Sequence, residues 1–144
     1  MNASQNIEGQ CLCGAVTARA VMSKPMMRAC HCDMCQQHTS SMFMSLGIDQ
    51  GSLTLDGPVK TYRSSEWAER GFCGTCGSTL FYGTVEDGNR HPSAGLFQTL
   101  EDTPLKLEFF ADDALCGIAL VGEHRKMTAQ ETIALFAPKE GEDQ

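Results

Sequence analysis

This sequence predicts a mainly β domain, and three of its features point that way. Apolar and β-branched residues fall in many short runs; glycine, proline and asparagine separate those runs at close intervals; and the periodicity of an amphipathic helix is clear only near the end of the chain. With 144 residues, 42% of them hydrophobic and 20% charged, the chain is long enough for one domain with a real core and too short for two, so 1–144 reads as one unit.

Residues 7–21, rich in small and β-branched side chains and punctuated by Gly9 and Gly14, read as a hairpin or bent strand. Further strands are expected at 42–48, 52–55, 59–63, around Phe72, and at 78–82, 94–99 and 105–110. Gly51, Gly57-Pro58, Gly83, Gly88-Asn89 and Pro104 supply the turns between them. A short helix is expected after Cys32. The last helix has the clearest signals: Thr128 and Glu131 fit a capping box, Ile133, Leu135 and Phe136 supply apolar positions, and Pro138 marks the stop. The tail 139–144 has no apolar side chain to anchor it and is expected to fray.

A formal net charge of -7 and a pI near 4.9 argue against nucleic acid as a partner, because polyanion binding depends on clustered lysine and arginine, and the eleven basic residues are scattered. No apolar run approaches the length of a membrane span, and the first ten residues have neither the basic cluster nor the apolar stretch of an export signal. The expected location is therefore cytoplasmic. In that reducing compartment the eight cysteines point to metal or redox chemistry rather than to a disulfide framework.

Spacing favours metal. Seven cysteines form three groups: Cys11 and Cys13; Cys30, Cys32 and Cys35; Cys73 and Cys76. In Cys73-Gly74-Thr75-Cys76-Gly77 the glycines permit a turn tight enough to aim two sulfurs at one ion. Cys11 and Cys13, two apart on an extended segment, would share a face. Two plus two gives a closed four-cysteine zinc site. A thioredoxin-like redox pair at Cys73 and Cys76 would need a helix to follow, whereas 78–82 reads as strand.

The middle group offers three sulfurs within six residues and no obvious fourth ligand, which is how open, catalytic zinc sites are built. His31, His38 and Cys116 are the candidates to close it. His31 sits between two ligands and is better suited to support them, while Cys116 by its residue type reads as a small buried side chain. Met22, Met26, Met27, Met34, Met42 and Met44 cluster nearby and read as flexible packing, and Trp67 as core or cleft wall.

The order Cys-x-Cys-Gly, Cys-His-Cys-x-x-Cys and Phe-Cys-x-x-Cys-Gly-Ser, found at 11–14, 30–35 and 72–78, resembles the glutathione-dependent formaldehyde-activating enzyme family. Arg70, Leu80, Phe81 and the stretch from Ala94-Gly95 to Asp102 are similar to it as well, so that the match runs over about 9–110. The resemblance implies a β-tent fold of packed antiparallel sheets. It also implies two zinc ions per chain, a structural one on Cys11, Cys13, Cys73 and Cys76 and a catalytic one on Cys30, Cys32 and Cys35. Members often carry basic residues and a glycine after the third cysteine of the middle group; here Gln36, Gln37, His38, Thr39 and Ser40 follow, and Glu108 stands near a position where a late-strand histidine is common.

The activity implied is that of a carbon-sulfur lyase: a small thiol such as glutathione, held as thiolate, adds to an aldehyde, and the reverse reaction splits the adduct. Three other classes compete. A non-catalytic zinc-binding module on the same fold needs only the closed site, which leaves the middle group without a role. A methionine sulfoxide reductase would use Cys116, but 117–119 reads as ordinary core without the expected polar neighbours. A chromatin or cytoskeletal binder of the centromere protein V type conflicts with the acidic pI.

Overall fold

The computed structural model describes residues 4–98, 100 and 102–136. In chain order the strands are β1 (Gln5–Gln10), β2 (Thr17–Met22), β3 (Met27–Cys30), β4 (Phe43–Leu46), β5 (Thr54–Asp56), β6 (Val59–Arg63), β7 (Ala68–Cys73), β8 (Thr79–Thr84), β9 (Arg90–Pro92), β10 (Leu105–Phe109) and β11 (Arg125–Lys126). Helix α1 (Asp33–Thr39) follows β3, and α2 (Ala129–Phe136) follows β11. The mainly β reading holds, in the packed-sheet arrangement of a β-tent with one C-terminal helix.

Three sheets build the molecule: β1-β2-β5, β11-β10-β3-β4 and β6-β7-β8-β9. The first and third are antiparallel throughout, but β10 runs parallel to both β3 and β11, so the middle sheet is mixed. Strand alternation explains the first sheet. In β2, Ala18, Ala20 and Met22 turn inward while Thr17 and Arg19 face solvent, and Ile7 of β1 pairs with Ala20 on the same inner face. These side chains meet Val16, Leu46, Leu80, Phe81, Leu96 and Phe97 in one core. A bridge between Ser45 and Ser93 joins the second sheet to the third.

Two expected elements differ. Over 94–99 the chain makes a 3-10 turn, Ala94–Leu96, instead of a strand, with Ser93 N–H already spent on Leu80 O at 2.9 Å and Phe97 N–H closing on Ala94 O at 3.1 Å; Thr99 lies outside the described residues. The stretch around Cys116 is an exposed turn rather than core. In α2 the capping box forms as expected, Thr128 N–H donating to Glu131 Oε1 at 2.9 Å and Glu131 N–H to Thr128 Oγ1 at 3.1 Å. Yet Thr132 is its only buried residue; Ile133, Leu135 and Phe136 stay on the surface. The expected stop at Pro138 and the tail 139–144 lie outside the described residues.

Candidate metal centres and the cavity beside the second

The first cysteine group joins two hairpins. Cys11 and Cys13 lie in the turn from β1 to β2, where Cys11 N–H donates to Val16 O and Gly14 N–H to Cys11 O, both at 3.0 Å. Their convergence comes from this turn, with Gly14 at φ +82°, rather than from alternation on a strand as the spacing suggested. Cys73 ends β7, and Cys76 follows in a turn closed by Gly77 N–H on Cys73 O at 2.8 Å, Gly77 sitting at φ +80°. The four sulfurs lie within 4.8 Å of one another, with Cys11 to Cys13 at 3.7 Å and Cys13 to Cys73 at 3.9 Å. A tetrahedral zinc with sulfurs at ~2.3 Å requires edges of about 3.8 Å. Backbone N–H groups of Ala15, Val16, Thr75 and Cys76 point at these sulfurs from 3.3 to 3.4 Å, as thiolates need. Hydrogen bonds from the Ser78 hydroxyl and backbone hold the Cys76 thiol down to about 5. All four cysteines are free of disulfides, and the group can hold a metal ion.

The second group is built where β3 runs into α1. Cys30 ends the strand, Cys32 is the N-cap of the helix, its sulfur accepting Cys35 N–H at 3.3 Å, and Cys35 sits in the first turn. The three sulfurs again lie within 4.8 Å of one another and can hold a metal ion; no fourth protein ligand joins them among the described residues. The buried Arg70, from β7 of the third sheet, donates from Nη1 to Cys35 Sγ at 3.3 Å and stacks over the Tyr82 ring with its Cζ 5.0 Å from the centroid. Hydrogen bonds from Cys30 and Cys35 pull the Cys32 thiol down to about 2, against the cost of burial and with help from the Cys35 N–H and Arg70, while hydrogen bonds with Cys32 and Cys35 push the Cys30 thiol up. The helix dipole also favours negative charge on the sulfur at the N-cap.

This group opens onto a cavity of about 330 Å³. Trp67, Phe109, Phe110, Ile133 and Phe136 give it a largely apolar wall. Arg28 and His91 line the wall together, Arg28 Nη1 standing 3.2 Å from His91 Nδ1, and His91 stacks beside Tyr82 with centroids 6.2 Å apart.

A family model described as glutathione-dependent formaldehyde-activating enzyme matches residues 6–113. The chain belongs to this family. A Schizosaccharomyces pombe protein whose name is that of an uncharacterised lyase is 35% identical over 108 residues, covering 74% of this chain and 79% of its own. A crystal structure of a Rhodobacter sphaeroides protein superposes with a TM-score of 0.54 at 17% identity, covering 69% of this chain and all of its own, which is a likeness of fold. The formaldehyde-activating match stops before β11 and α2, so Ile133 and Phe136 in the cavity wall come from beyond it.

Of the residues considered as a fourth ligand for the three sulfurs, none joins their cluster. His31 is buried and turned away, its Nε2 donating to Glu108 Oε1 at 2.8 Å. Glu108 Oε2 accepts from His124 Nε2, so one buried carboxylate ties two imidazoles. Burial opposes its ionisation, but the hydrogen bonds from His124 and His31 outweigh that and keep its pKa below the usual range. His38 Nδ1 is buried without a hydrogen-bond partner, and Cys116 is exposed rather than buried. Arg28 and His124 were not marked in the sequence, and Arg70 and Glu108 only through the family resemblance. Arg70 reaches Cys35, and Glu108 with His124 reaches His31, from remote stretches of chain.

Proposed function

We propose that this chain is a zinc-dependent carbon-sulfur lyase of the formaldehyde-activating type, joining a small thiol, glutathione or another, to an aldehyde and splitting the adduct in reverse. Three converging sulfurs without a fourth protein ligand among the described residues, at the wall of a cavity large enough for a small molecule, carry this reading. In it Cys11, Cys13, Cys73 and Cys76 hold a structural zinc, and Cys30, Cys32 and Cys35 a catalytic one. Bound there, zinc supplies a cationic position at which a substrate thiol is kept ionised at neutral pH.

The chain's own residues do the rest. Arg70 offsets the charge of three cysteinates by its hydrogen bond to Cys35 and holds α1 against the third sheet. Apolar side chains line the cavity beside the sulfurs, and a less polar setting strengthens electrostatic contacts there. Tyr82, whose pKa burial pushes up to about 12, keeps its proton and remains a hydrogen-bond donor on the wall. In the net reaction the thiol S–H is lost and a carbon-sulfur bond forms at the aldehyde carbon. The carbonyl π bond becomes a C–OH that takes up the proton, so no redox partner is required.

Exchange NMR with 13C-labelled formaldehyde and glutathione tests the reading. The zinc-loaded protein should speed interconversion of free aldehyde and adduct, and Cys32→Ser should abolish that acceleration while the far-UV spectrum and melting stay near wild type. Absence of acceleration with any thiol and aldehyde pair would leave a zinc-binding module.

A further inference from the structure

Glutathione carries two carboxylates and an ammonium group, and the cavity beside Cys30, Cys32 and Cys35 is built for something else. Its lining is mainly apolar, with Trp67, Phe109, Phe110 and Phe136 among the wall residues, and it has two arginines. Arg70 is already committed, to Cys35 Sγ on one side and to the Tyr82 ring on the other. That leaves Arg28. Among the described residues it has no carboxylate within ion-pair distance, although Asp33 and Asp113 line the same cavity; its hydrogen-bond partner is the imidazole of His91. A half-buried guanidinium beside aromatic rings with no counter-ion is poorly compensated, and an anionic group from a ligand would relieve it.

Position adds a second constraint. Arg28 and Cys30 are two residues apart on β3 and face the same cavity, while Ala29 between them is buried in the opposite direction. One molecule can therefore place a sulfur at the cysteines and an anion at Arg28. The remaining wall is supplied by Phe109 and Phe110, by Trp67, and by Ile133 and Phe136 of α2, with Phe109 and Phe136 packed edge to face at 5.0 Å between centroids. Helix α2 is fixed in this place by Thr132, whose Oγ1 accepts Phe110 N–H at 3.1 Å and donates to Thr128 O at 2.7 Å. A volume near 330 Å³ is at the low end for ligand sites and suits one ring or branched chain beside a short acid.

We infer that the thiol substrate of this site is a short mercapto acid with one carboxylate, bound at Arg28, and one aromatic or branched apolar group, bound against α2 and Phe109. The inference rests on the thiol-binding reading proposed above. Arg28 then selects by charge and Phe136 by shape.

Calorimetric titration of the zinc-loaded protein tests it with four probes: 2-mercapto-3-phenylpropanoate, its methyl ester, mercaptoacetate and glutathione. The phenyl acid should bind at least tenfold more tightly than each of the other three. Arg28→Gln should lower affinity for the acid to that for the ester while ester binding stays unchanged. Phe136→Ala should reduce the preference for the phenyl acid over mercaptoacetate. Tighter binding of glutathione, equal binding of acid and ester by the wild type, or an equal loss of both in Arg28→Gln would overturn the inference while leaving thiol binding in place. Failure of all four thiols to bind would remove the thiol-binding reading and this inference with it.

Discussion

His91 faces Arg28 and Tyr82 inside the cavity wall, and burial, reinforced by the charge of Arg28, pushes its pKa down to about 4. In the unfolded chain the same imidazole titrates near 6.5. Between those values the unfolded state binds the proton and the folded state does not, so stability is lost as pH falls from about 6.5 to about 4. The ceiling of that loss is about 3 kcal/mol. Urea unfolding at pH 7 and pH 4.5 should show a smaller acid loss for His91→Gln than for the wild type; equal losses would mean that His91 does not carry it. At this scale the cysteines were legible because their side chains have few other uses at such spacing. Arg28 with His91 and Arg70 with Cys35 were not, because these contacts span 63 and 35 positions and leave no local pattern.

Among the elements, those with local chemical signals were read well. Strand β6 falls where 59–63 was expected, and the capping box of α2 forms as written in Thr128 and Glu131. Strands β3 and β11 carried no such signal; β3 pairs with β4 on one side, and both strands pair in parallel with β10. That pairing also creates the Glu108 clamp: β10 presents the carboxylate to His31, between two cysteine ligands, and to His124, just before β11. Gln36 adds a second tie, its Nε2 donating to His31 O at 2.7 Å and to Asp113 O at 2.9 Å. Glu108→Ala leaves two buried imidazoles without their acceptor and frees the 30–32 segment. Zinc affinity of the three-cysteine group should fall about tenfold, the low end for outer-shell changes, with the four-cysteine group unaffected. Competition against a chromophoric chelator measures both, and equal weakening of the two groups would contradict the clamp.

For the whole molecule, the sheet-rich architecture followed from turn spacing, but the joining of the sheets did not. The four-cysteine group ties the β1–β2 turn of the first sheet to the β7–β8 turn of the third, with Leu12 N–H on Ser78 Oγ at 3.0 Å beside it. The three-cysteine group belongs to the middle sheet and is hydrogen-bonded to the third by Arg70. Closed and open sites should therefore differ in lability. Under metal-replete conditions the protein should contain about two zinc ions per chain, and a mild chelator should remove the first without unfolding. One ion per chain would leave the middle group without a metal role. Loss of structure together with the first ion would reverse the assignment of the two groups.

The central claim is that a substrate sulfur completes the metal site of Cys30, Cys32 and Cys35. Cobalt substitution followed by optical titration tests it most directly, because cobalt-thiolate bands respond to each added sulfur. Glutathione or a shorter mercapto acid should shift and intensify the visible bands to saturation in the wild type. The S-methylated form should leave them unchanged, since a neutral thioether is a far poorer partner than a thiolate, and Cys32→Ser should abolish the response. A spectrum that ignores every thiol would mean that the fourth position is closed, and the claim would fail.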